Sequence, residues 1–370
     1  MDVVRIAIGC TAPLPSGVGA DGRWDPPGVD GVQVLFTGLH DPNADDWSSV
    51  PEDADDDPAT LERDLARVGW DRVDCYVADI AEYRPIAADA HARADRVLLL
   101  VGDWNIGGRL LWQARGVVDA VLCDHAGVET VERIGHAAIP TLIWGVRPEW
   151  PYVDPAAERD IDVLFIGSTN AAIHARRNAW LLRLGALADH ANVVIRSRLY
   201  GPEYRAHMAR AKLVFNHSVR GEANIRSYEG AVAGACVLNE RGNPELPHVF
   251  TPDTDFATYD SEDLADVVRS LLQHDDRRLA IAAAGQQAVR AHTIDAHMTQ
   301  RVESIRDWLA GDPPRAQRTP RSWAGLVEAQ WLLGASARAW TSAGRVLAAA
   351  GGSALDVDRL VARGGMLLAA

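Results

Sequence analysis

Residues 158–168 read ERDIDVLFIGS, and this stretch decides the fold. A charged lead-in is followed by the largely apolar run Asp162–Ile166 (DVLFI) and then by the small residues Gly167 and Ser168. An apolar run that ends in a tight turn before a helical segment is typical of a strand in a parallel α/β sheet. The sequence therefore predicts that a series of alternating strands and helices begins here.

The same alternation continues towards the C-terminus. The predicted strands are Val193–Arg196, Lys212–Phe215, Cys236–Leu238 and Thr258–Tyr259. Helices are predicted around residues 229–234, 261–274 and 279–292. In the second of these, apolar residues recur at positions i, i+3, i+4, i+7 and i+8, which is the period of one helical face.

A similar series precedes residue 145. Its predicted strands are Val3–Ile8, Val32–Phe36, Val73–Val77, Arg96–Val101, Ala120–Cys123 and Pro140–Trp144, with helices near 60–68, 85–94, 106–116 and 126–135. The run Gly145-Val146-Arg147-Pro148 interrupts the pattern. The sequence therefore predicts an α/β protein with two Rossmann-like domains, 1–145 and 146–312, each binding ligands at the carboxyl ends of its strands.

The last part of the chain differs in composition from the rest. The chain has 370 residues, more than the roughly 250–300 that one core supports, and carries a net charge of −14. From Arg315 onward, however, seven arginines face three acidic residues, after the linker GDPPRAQRTP. We expect a helical extension over 313–370 that either docks a partner or a second copy through 320–370, or packs back on the first domain.

Composition excludes several classes of protein. The acidic balance excludes a nucleic-acid partner, which would need a basic stripe. The four cysteines show no CxxC spacing, so neither a zinc site nor a redox pair is predicted. No apolar run reaches the length of about 18 residues that a membrane span needs, and the first residues resemble a strand rather than a signal peptide. We therefore expect a cytoplasmic protein without a transmembrane segment.

The turn at Gly167 and Ser168 is a candidate phosphate site. Backbone amides between a strand and a helix N-terminus point at the space where an anion binds. The alternative is a tight structural turn with no ligand.

A polar cluster follows the predicted strand Lys212–Phe215. Asn216 comes directly after the strand, and Arg220 and Arg226 could hold a diphosphate through planar, bidentate guanidinium groups. Glu229, in the first turn of the next helix, could accept hydrogen bonds from ribose hydroxyls. The alternative for Glu229 is stabilisation of the helix N-terminus by its charge.

The stretch IRSYEGAVAGACVLNERGNPELPHVF (residues 225–250) resembles the R-x-x-E segment of the group 1 glycosyltransferases, in particular their CgeB-like (spore maturation protein-like) branch. Residues 158–168, 200–216 and 256–293 resemble the flanking segments of the same family, in the same order. The resemblance spans about 140 residues, from Asp160 to about Ile305.

The resemblance implies a GT-B fold and transfer of a sugar from a nucleotide-diphosphate sugar to an acceptor hydroxyl, without a metal or cofactor and with retention at the sugar carbon. By position, Glu229 resembles the ribose-binding carboxylate, and Gly167 and Ser168 the phosphate-proximal turn. Arg226 matches the branch's arginine. Glu222 resembles the preceding carboxylate that touches the sugar, although six residues separate it from Glu229 where the family has seven.

The acceptor side offers two candidates for a catalytic base or an acceptor-binding group. Many relatives carry a His before the Asp that ends a strand of the first domain, but here the pair is Gly102-Asp103. Asp103 is one candidate and His125, which follows the next strand, is the other. The alternatives are turn or capping chemistry for Asp103 and a surface histidine for His125.

Two other functions remain open at this point. One is a degenerate GT-B protein that binds a glycan or a partner without turnover, and the other is a sugar-nucleotide epimerase. The sequence does not identify the donor base, the sugar or the acceptor.

Overall fold

The computed structural model describes residues 3–9, 14–37, 61–79, 86–87, 89–104, 108–169, 171–317 and 326. The chain divides into two compact units, Met1–Ile143 together with Met298–Ala370 (unit 1) and Trp144–His297 (unit 2). This division falls close to the predicted boundary at residue 145. Residues 298–312, which the sequence analysis assigned to the second domain, are grouped with unit 1.

Unit 1 contains a seven-stranded sheet with the order β2-β3-β1-β4-β5-β6-β7. Its strands are β1 (Val4–Gly9), β2 (Arg23–Trp24), β3 (Val32–Thr37), β4 (Val73–Ala78), β5 (Ala94–Leu100), β6 (Ala120–Cys123) and β7 (Ala138–Pro140). Its helices are α1 (Leu61–Arg67), α2 (Ala90–Arg93), α3 (Gly108–Ala114) and α4 (Val128–Ile134). All strands pair in parallel except β2, which is antiparallel to β3.

One strand of unit 1 is wrongly placed by the sequence. The prediction was Pro140–Trp144, but β7 ends at Pro140. The N–H of Thr141 still donates to the carbonyl of Cys123 in β6 (2.8 Å). The carbonyls of Leu142 and Ile143, however, accept from Nη2 of Arg301 (3.0 and 3.4 Å). Apolar composition alone does not reveal that a distant arginine replaces the partner strand.

Unit 2 contains a five-stranded, fully parallel sheet with the order β12-β11-β10-β8-β9. Its strands are β8 (Ile161–Ile166), β9 (Val193–Arg196), β10 (Ala211–Phe215), β11 (Cys236–Glu240) and β12 (Ala257–Tyr259). Its helices are α5 (Ala171–Gly185), α6 (Gly201–Ala209), α7 (Ile225–Val232), α8 (Leu264–Gln273) and α9 (Asp275–Ala288). The predicted α/β class with two Rossmann-like sheets is confirmed.

Strand order locates the ligand-binding edge of unit 2. The chain leaves β8 towards β9 on one side and later returns to β10 on the other, so the topological switch point lies between β8 and β10. In open α/β sheets, ligands bind outside the carboxyl ends of the strands at this point. The residues after Ile166 and after Phe215 therefore flank the expected crevice.

Close packing positions helix α7 at this edge. A Cβ on Gly230 would lie 2.8 Å from Cγ2 of Val237 and 3.2 Å from Cγ1 of Val214, so only glycine allows the helix to lie this close to β10 and β11. The helix begins at an Asn224 cap, whose side chain accepts the N–H of Arg226 (3.2 Å).

The chain after helix α10 (Ile294–Ala310) lies against unit 1. Arg96 donates from Nη2 to the carbonyl of Pro313 (2.7 Å), and the N–H of Ala316 donates to Oδ1 of Asp119 (2.7 Å). Leu326 is fully buried in the core of unit 1. For these residues the structure favours the packed-back alternative, and the remainder of the predicted extension lies outside the described residues.

None of the helices in the described ranges is both long enough and apolar enough to cross a lipid bilayer.

Candidate functional site

The turn after β8 presents Gly167 and Ser168 at the switch point. Ser168 is exposed, and the N–H of Gly167 donates to the carbonyl of Arg196 at 3.1 Å. A Cβ on Gly167 would lie 2.3 Å from Nη2 of Arg226, so the turn and this guanidinium fit together only with glycine. The guanidinium of Arg226 therefore packs directly against the turn that the sequence predicted to bind phosphate.

Arg226 is held almost entirely by protein groups. Its side chain donates from Nε to the carbonyl of Ile166 (2.8 Å) and from Nη1 to Oδ1 of Asn216 (2.8 Å). The guanidinium lies 4.6 Å from the centre of the Phe165 ring. These contacts place the charge beneath the Gly167 turn, where it can attract an anion but is also part of the fold.

Asn216 takes a supporting position rather than one that faces a ligand. Its side chain is completely buried and donates from Nδ2 to Oδ1 of Asn239 (2.7 Å) and to Oγ of Ser227 (3.2 Å). Because its Oδ1 accepts from Arg226, the amide is satisfied by protein on both sides. It fixes the guanidinium in place.

Arg177 on α5 is a second buried cation at this edge, and the sequence analysis did not single it out. It donates from Nε to the carbonyl of His217 (3.1 Å) and from Nη1 to that of Ser168 (3.4 Å), which joins the loops after β10 and β8. Burial, together with the charge of Arg226, lowers the pKa of Arg177 to about 10. No motif marks it, since its neighbour Arg176 is exposed and only the helix orientation distinguishes the two.

The carboxylate of Glu222 accepts hydrogen bonds from the backbone of its own loop. The carboxylate accepts the N–H groups of Val219 (3.1 Å) and Arg220 (2.9 Å), and Nη1 of Arg220 lies 3.8 Å away. The turn passes through Gly221 at φ +94°, in the left-handed region that glycine favours. In this conformation Glu222 and Arg220 shape the loop after β10.

Glu229 lies across a groove from Tyr204, whose hydroxyl donates to Oε2 of the carboxylate. Burial raises the pKa of Glu229 to about 7, while the hydrogen bond from Tyr204 and the charge of Arg226 oppose the rise. Both side chains line a cavity of about 200 Å³. Tyr204 belongs to the family-like segment 200–216, but one sequence does not reveal that this tyrosine on α6 contacts Glu229 on α7.

In unit 1, the two acceptor-side candidates follow neighbouring strands. Asp103 follows β5 and His125 follows β6, and these strands pair in register. Between them, the indole N–H of Trp104 donates to Oδ1 of Asp124 (2.8 Å), which is buried. The structure therefore brings Asp103 and His125 to the same edge of the first sheet and adds Trp104 to their surroundings.

The described residues include no group of three or more His, Cys, Asp or Glu side chains that could hold a metal ion.

Known proteins resemble this chain in sequence over one segment and in structure over most of its length. Residues 128–304 match a family model described as "Glycosyl transferase-like". One similar solved structure is sucrose-phosphate synthase from Thermosynechococcus elongatus, which is 12% identical in sequence; the match covers 83% of this chain and 89% of that chain, with a TM-score of 0.44. Another is HepE from Anabaena in complex with UDP-glucose, which is 11% identical; the match covers 82% of this chain and 99% of that chain, with a TM-score of 0.46.

No curated protein matches the chain by sequence. The match over residues 128–304 agrees with the predicted glycosyltransferase class. The CgeB-like branch stays a prediction.

Proposed function

We propose that the protein transfers a sugar from a nucleotide-diphosphate sugar, bound by unit 2, to an acceptor hydroxyl. The observation that supports this most is the meeting of a glycine turn and two buried arginines at the switch point of the unit 2 sheet, with Glu229 on α7 close enough to interact with the charge of Arg226. Such a point is where open α/β sheets bind nucleotides. The glycosyltransferase-like match over 128–304 agrees with this choice of ligand.

The proposed chemistry assigns the charge of the diphosphate to unit 2. The bond between the sugar carbon and the diphosphate oxygen breaks, a bond to the acceptor oxygen forms, and the acceptor proton passes to a base. Negative charge on the departing diphosphate would be stabilised by Arg177 and Arg226 and by the amides after β8, since preorganised donors in a low-dielectric site stabilise developing charge. We propose that the reaction needs no metal.

Acceptor chemistry is proposed for the edge of unit 1 that carries Asp103 and His125. Either side chain could take the proton of a hydroxyl within hydrogen-bond reach. Retention at the sugar carbon and a cytoplasmic location are further proposals that follow from the family resemblance. Analysis of the anomeric configuration of the product by NMR would test retention.

The proposal is tested by measuring nucleotide binding and donor hydrolysis. We expect one of UDP, GDP, ADP, CDP or TDP to raise the melting temperature, and the matching sugar donor to be hydrolysed slowly. In the variant Glu229→Gln the affinity for the nucleotide and the rate of hydrolysis should each fall by about tenfold or more, because a charged acceptor for a ribose hydroxyl is lost, and the thermal shift should become smaller. The matched control is Glu203→Gln, an exposed glutamate on α6. Absence of any nucleotide effect on the wild-type protein would refute the proposal.

A second candidate function is a glycan- or partner-binding protein without turnover. The observation that favours it is the orientation of Glu222, whose carboxylate is engaged by the amides of its own loop. Nucleotide binding without hydrolysis or transfer would support this candidate over the enzyme.

A further inference from the structure

Tyr204 and Glu229 form a hydrogen-bonded pair in a largely apolar groove that Arg205 also lines. The groove runs between α6 and α7 and is covered by the segment before β8. Its apolar walls include Trp150, Pro151, Val153, Met208 and Val232. A hydroxyl bonded directly to one oxygen of a buried carboxylate can hold the orientation of that side chain.

The two oxygens of Glu229 have different environments. Oε2 accepts the hydroxyl of Tyr204, and this bond leaves Oε1 to accept a hydrogen bond from a ligand. A carboxylate offers about four acceptor positions, so binding of the tyrosine does not saturate it. The residue is partly exposed and lines the cavity, so a ligand can approach the carboxylate.

Charged and titratable groups around the pair come from three elements. Tyr204 and Arg205 belong to α6, and Arg226 belongs to α7. Arg147 lies in the segment of unit 2 that precedes β8. The arginine charges favour the ionised carboxylate, whereas burial opposes it. Burial also raises the pKa of Tyr204 well above 10, so the phenol keeps its proton and acts as the donor.

We propose that Tyr204 is a positioning residue for donor binding: its hydroxyl fixes one oxygen of Glu229 so that the other faces a ribose hydroxyl of the donor nucleotide. This inference rests on the proposed function, in which Glu229 receives the ribose. Ordering a glutamate side chain before the ligand arrives lowers the entropic cost of binding. The tyrosine therefore contributes to affinity without touching the nucleotide.

The test compares Tyr204→Phe with Tyr200→Phe. Tyr200 precedes α6 by one residue and is exposed, so its substitution controls for the loss of a phenol near the site. Affinity is measured by calorimetry between pH 6 and 9 with the nucleoside diphosphate that gives the largest thermal shift among UDP, GDP, ADP, CDP and TDP. We expect Tyr204→Phe to weaken binding about tenfold at pH 7, with no change for Tyr200→Phe.

The pH profile separates positioning from general damage. Removal of a donor to the ionised carboxylate raises its pKa, so the pH at which affinity is half-maximal should move upward in Tyr204→Phe and the variant should recover affinity towards pH 9. A variant that is merely less well folded would bind more weakly at every pH without such a movement. An unchanged affinity and profile in Tyr204→Phe would overturn the inference.

The variant Glu229→Gln distinguishes failure of the inference from failure of the proposed function. If Glu229→Gln binds weakly while Tyr204→Phe behaves as the wild-type protein, only the role of Tyr204 is refuted. If Glu229→Gln binds as tightly as the wild-type protein, the ribose-binding role of Glu229 and the inference built on it both fail.

Discussion

At the scale of single residues, Arg177 offers a direct test of the anion site. Its buried guanidinium joins the loops after β8 and β10, and its charge lies close to that of Arg226. The carboxylates of Glu222 and Glu240 offset part of this repulsion, and a bound diphosphate would offset more of it. We expect Arg177→Met to reduce nucleoside-diphosphate affinity by about 10- to 100-fold, as the loss of a charged hydrogen-bond donor implies, measured by calorimetry.

The neighbouring Arg176 supplies the control for that prediction. It lies on the same helix and is exposed, so Arg176→Met changes the net charge by the same amount without altering the loops. Equal losses of affinity in the two variants would show that net charge, rather than the position of Arg177, determines binding.

Glu229 should make stability depend on pH in an unusual direction. Burial raises its pKa from 4.5 to about 7, so between these values the folded chain binds more protons than the unfolded chain. The free energy of unfolding contributed by this residue therefore falls as the pH rises from about 4.5 to 7, by up to about 2–3 kcal/mol. Urea unfolding at pH 5 and pH 8 should show a smaller loss in Glu229→Gln than in the wild-type protein.

A comparison of variants is needed because burial also raises the pKa of Glu240. Glu203→Gln, which alters an exposed carboxylate on α6, should follow the wild-type curve. A curve for Glu229→Gln that parallels the wild-type curve would contradict the raised pKa.

The sequence indicates which residue types belong to the candidate site, but it does not show where their side chains point. Gly167 could be singled out because a small residue at the end of a strand indicates a ligand site. Glu229 was singled out within the family-like segment, but it lies in the second turn of α7 and not in the first turn that the sequence predicted. Asn216 and Glu222 share those signals, yet one is buried and the other binds its own loop. Orientation depends on partners distant in sequence, such as Asn239 for Asn216, and a single sequence does not contain that information.

At the scale of elements, the approach of α7 to the sheet depends on Gly230. An alanine in the middle of a helix normally stabilises it by up to about 1 kcal/mol relative to glycine. Here a Cβ would lie 2.8 Å from Val237, a short and stiff side chain. We therefore expect Gly230→Ala to lower the free energy of unfolding by about 1–3 kcal/mol and to weaken nucleotide binding, because the helix that carries Arg226 and Glu229 must move.

Gly185, the last residue of α5, is the matched control for Gly230. A Cβ there meets nothing within 4 Å, so Gly185→Ala should leave stability unchanged or increase it. The pair is measured by urea denaturation and by calorimetry with nucleotide. A stabilised Gly230→Ala variant with full affinity would mean that α7 adjusts without cost.

Two strands, one buried in the first sheet and one at the edge of the second, were predicted accurately. Ala120–Cys123 and Val193–Arg196 were predicted with their observed bounds. The strand predicted at Pro140–Trp144 was misplaced because the carbonyls after Pro140 are bound by Arg301, about 160 residues later. Apolar runs predict burial, but hydrogen-bond partners from elsewhere in the chain decide whether buried backbone is a strand.

At the scale of the whole molecule, the division into two units has consequences for stability. Unit 1 includes the chain from Met298 onward, and Leu326 is fully buried in its core, whereas the proposed donor site lies in unit 2. Two units with separate cores can unfold in separate transitions. A ligand stabilises the unit that binds it, so nucleotide should raise the melting temperature of one transition.

Leu326→Ala should separate the two units experimentally. Removal of a fully buried leucine side chain costs about 2–5 kcal/mol, and this loss should fall on the transition that nucleotide does not shift, since Leu326 belongs to unit 1. Nucleotide affinity at 20 °C should remain within about twofold of the wild-type value, since a substitution away from the site leaves its contacts intact. The control is Leu182→Ala, an exposed leucine on α5 that should change neither transition. Scanning calorimetry with and without nucleotide measures both effects, and a weaker affinity in Leu326→Ala would show that the C-terminal segment contributes to the donor site as well as to the core of unit 1.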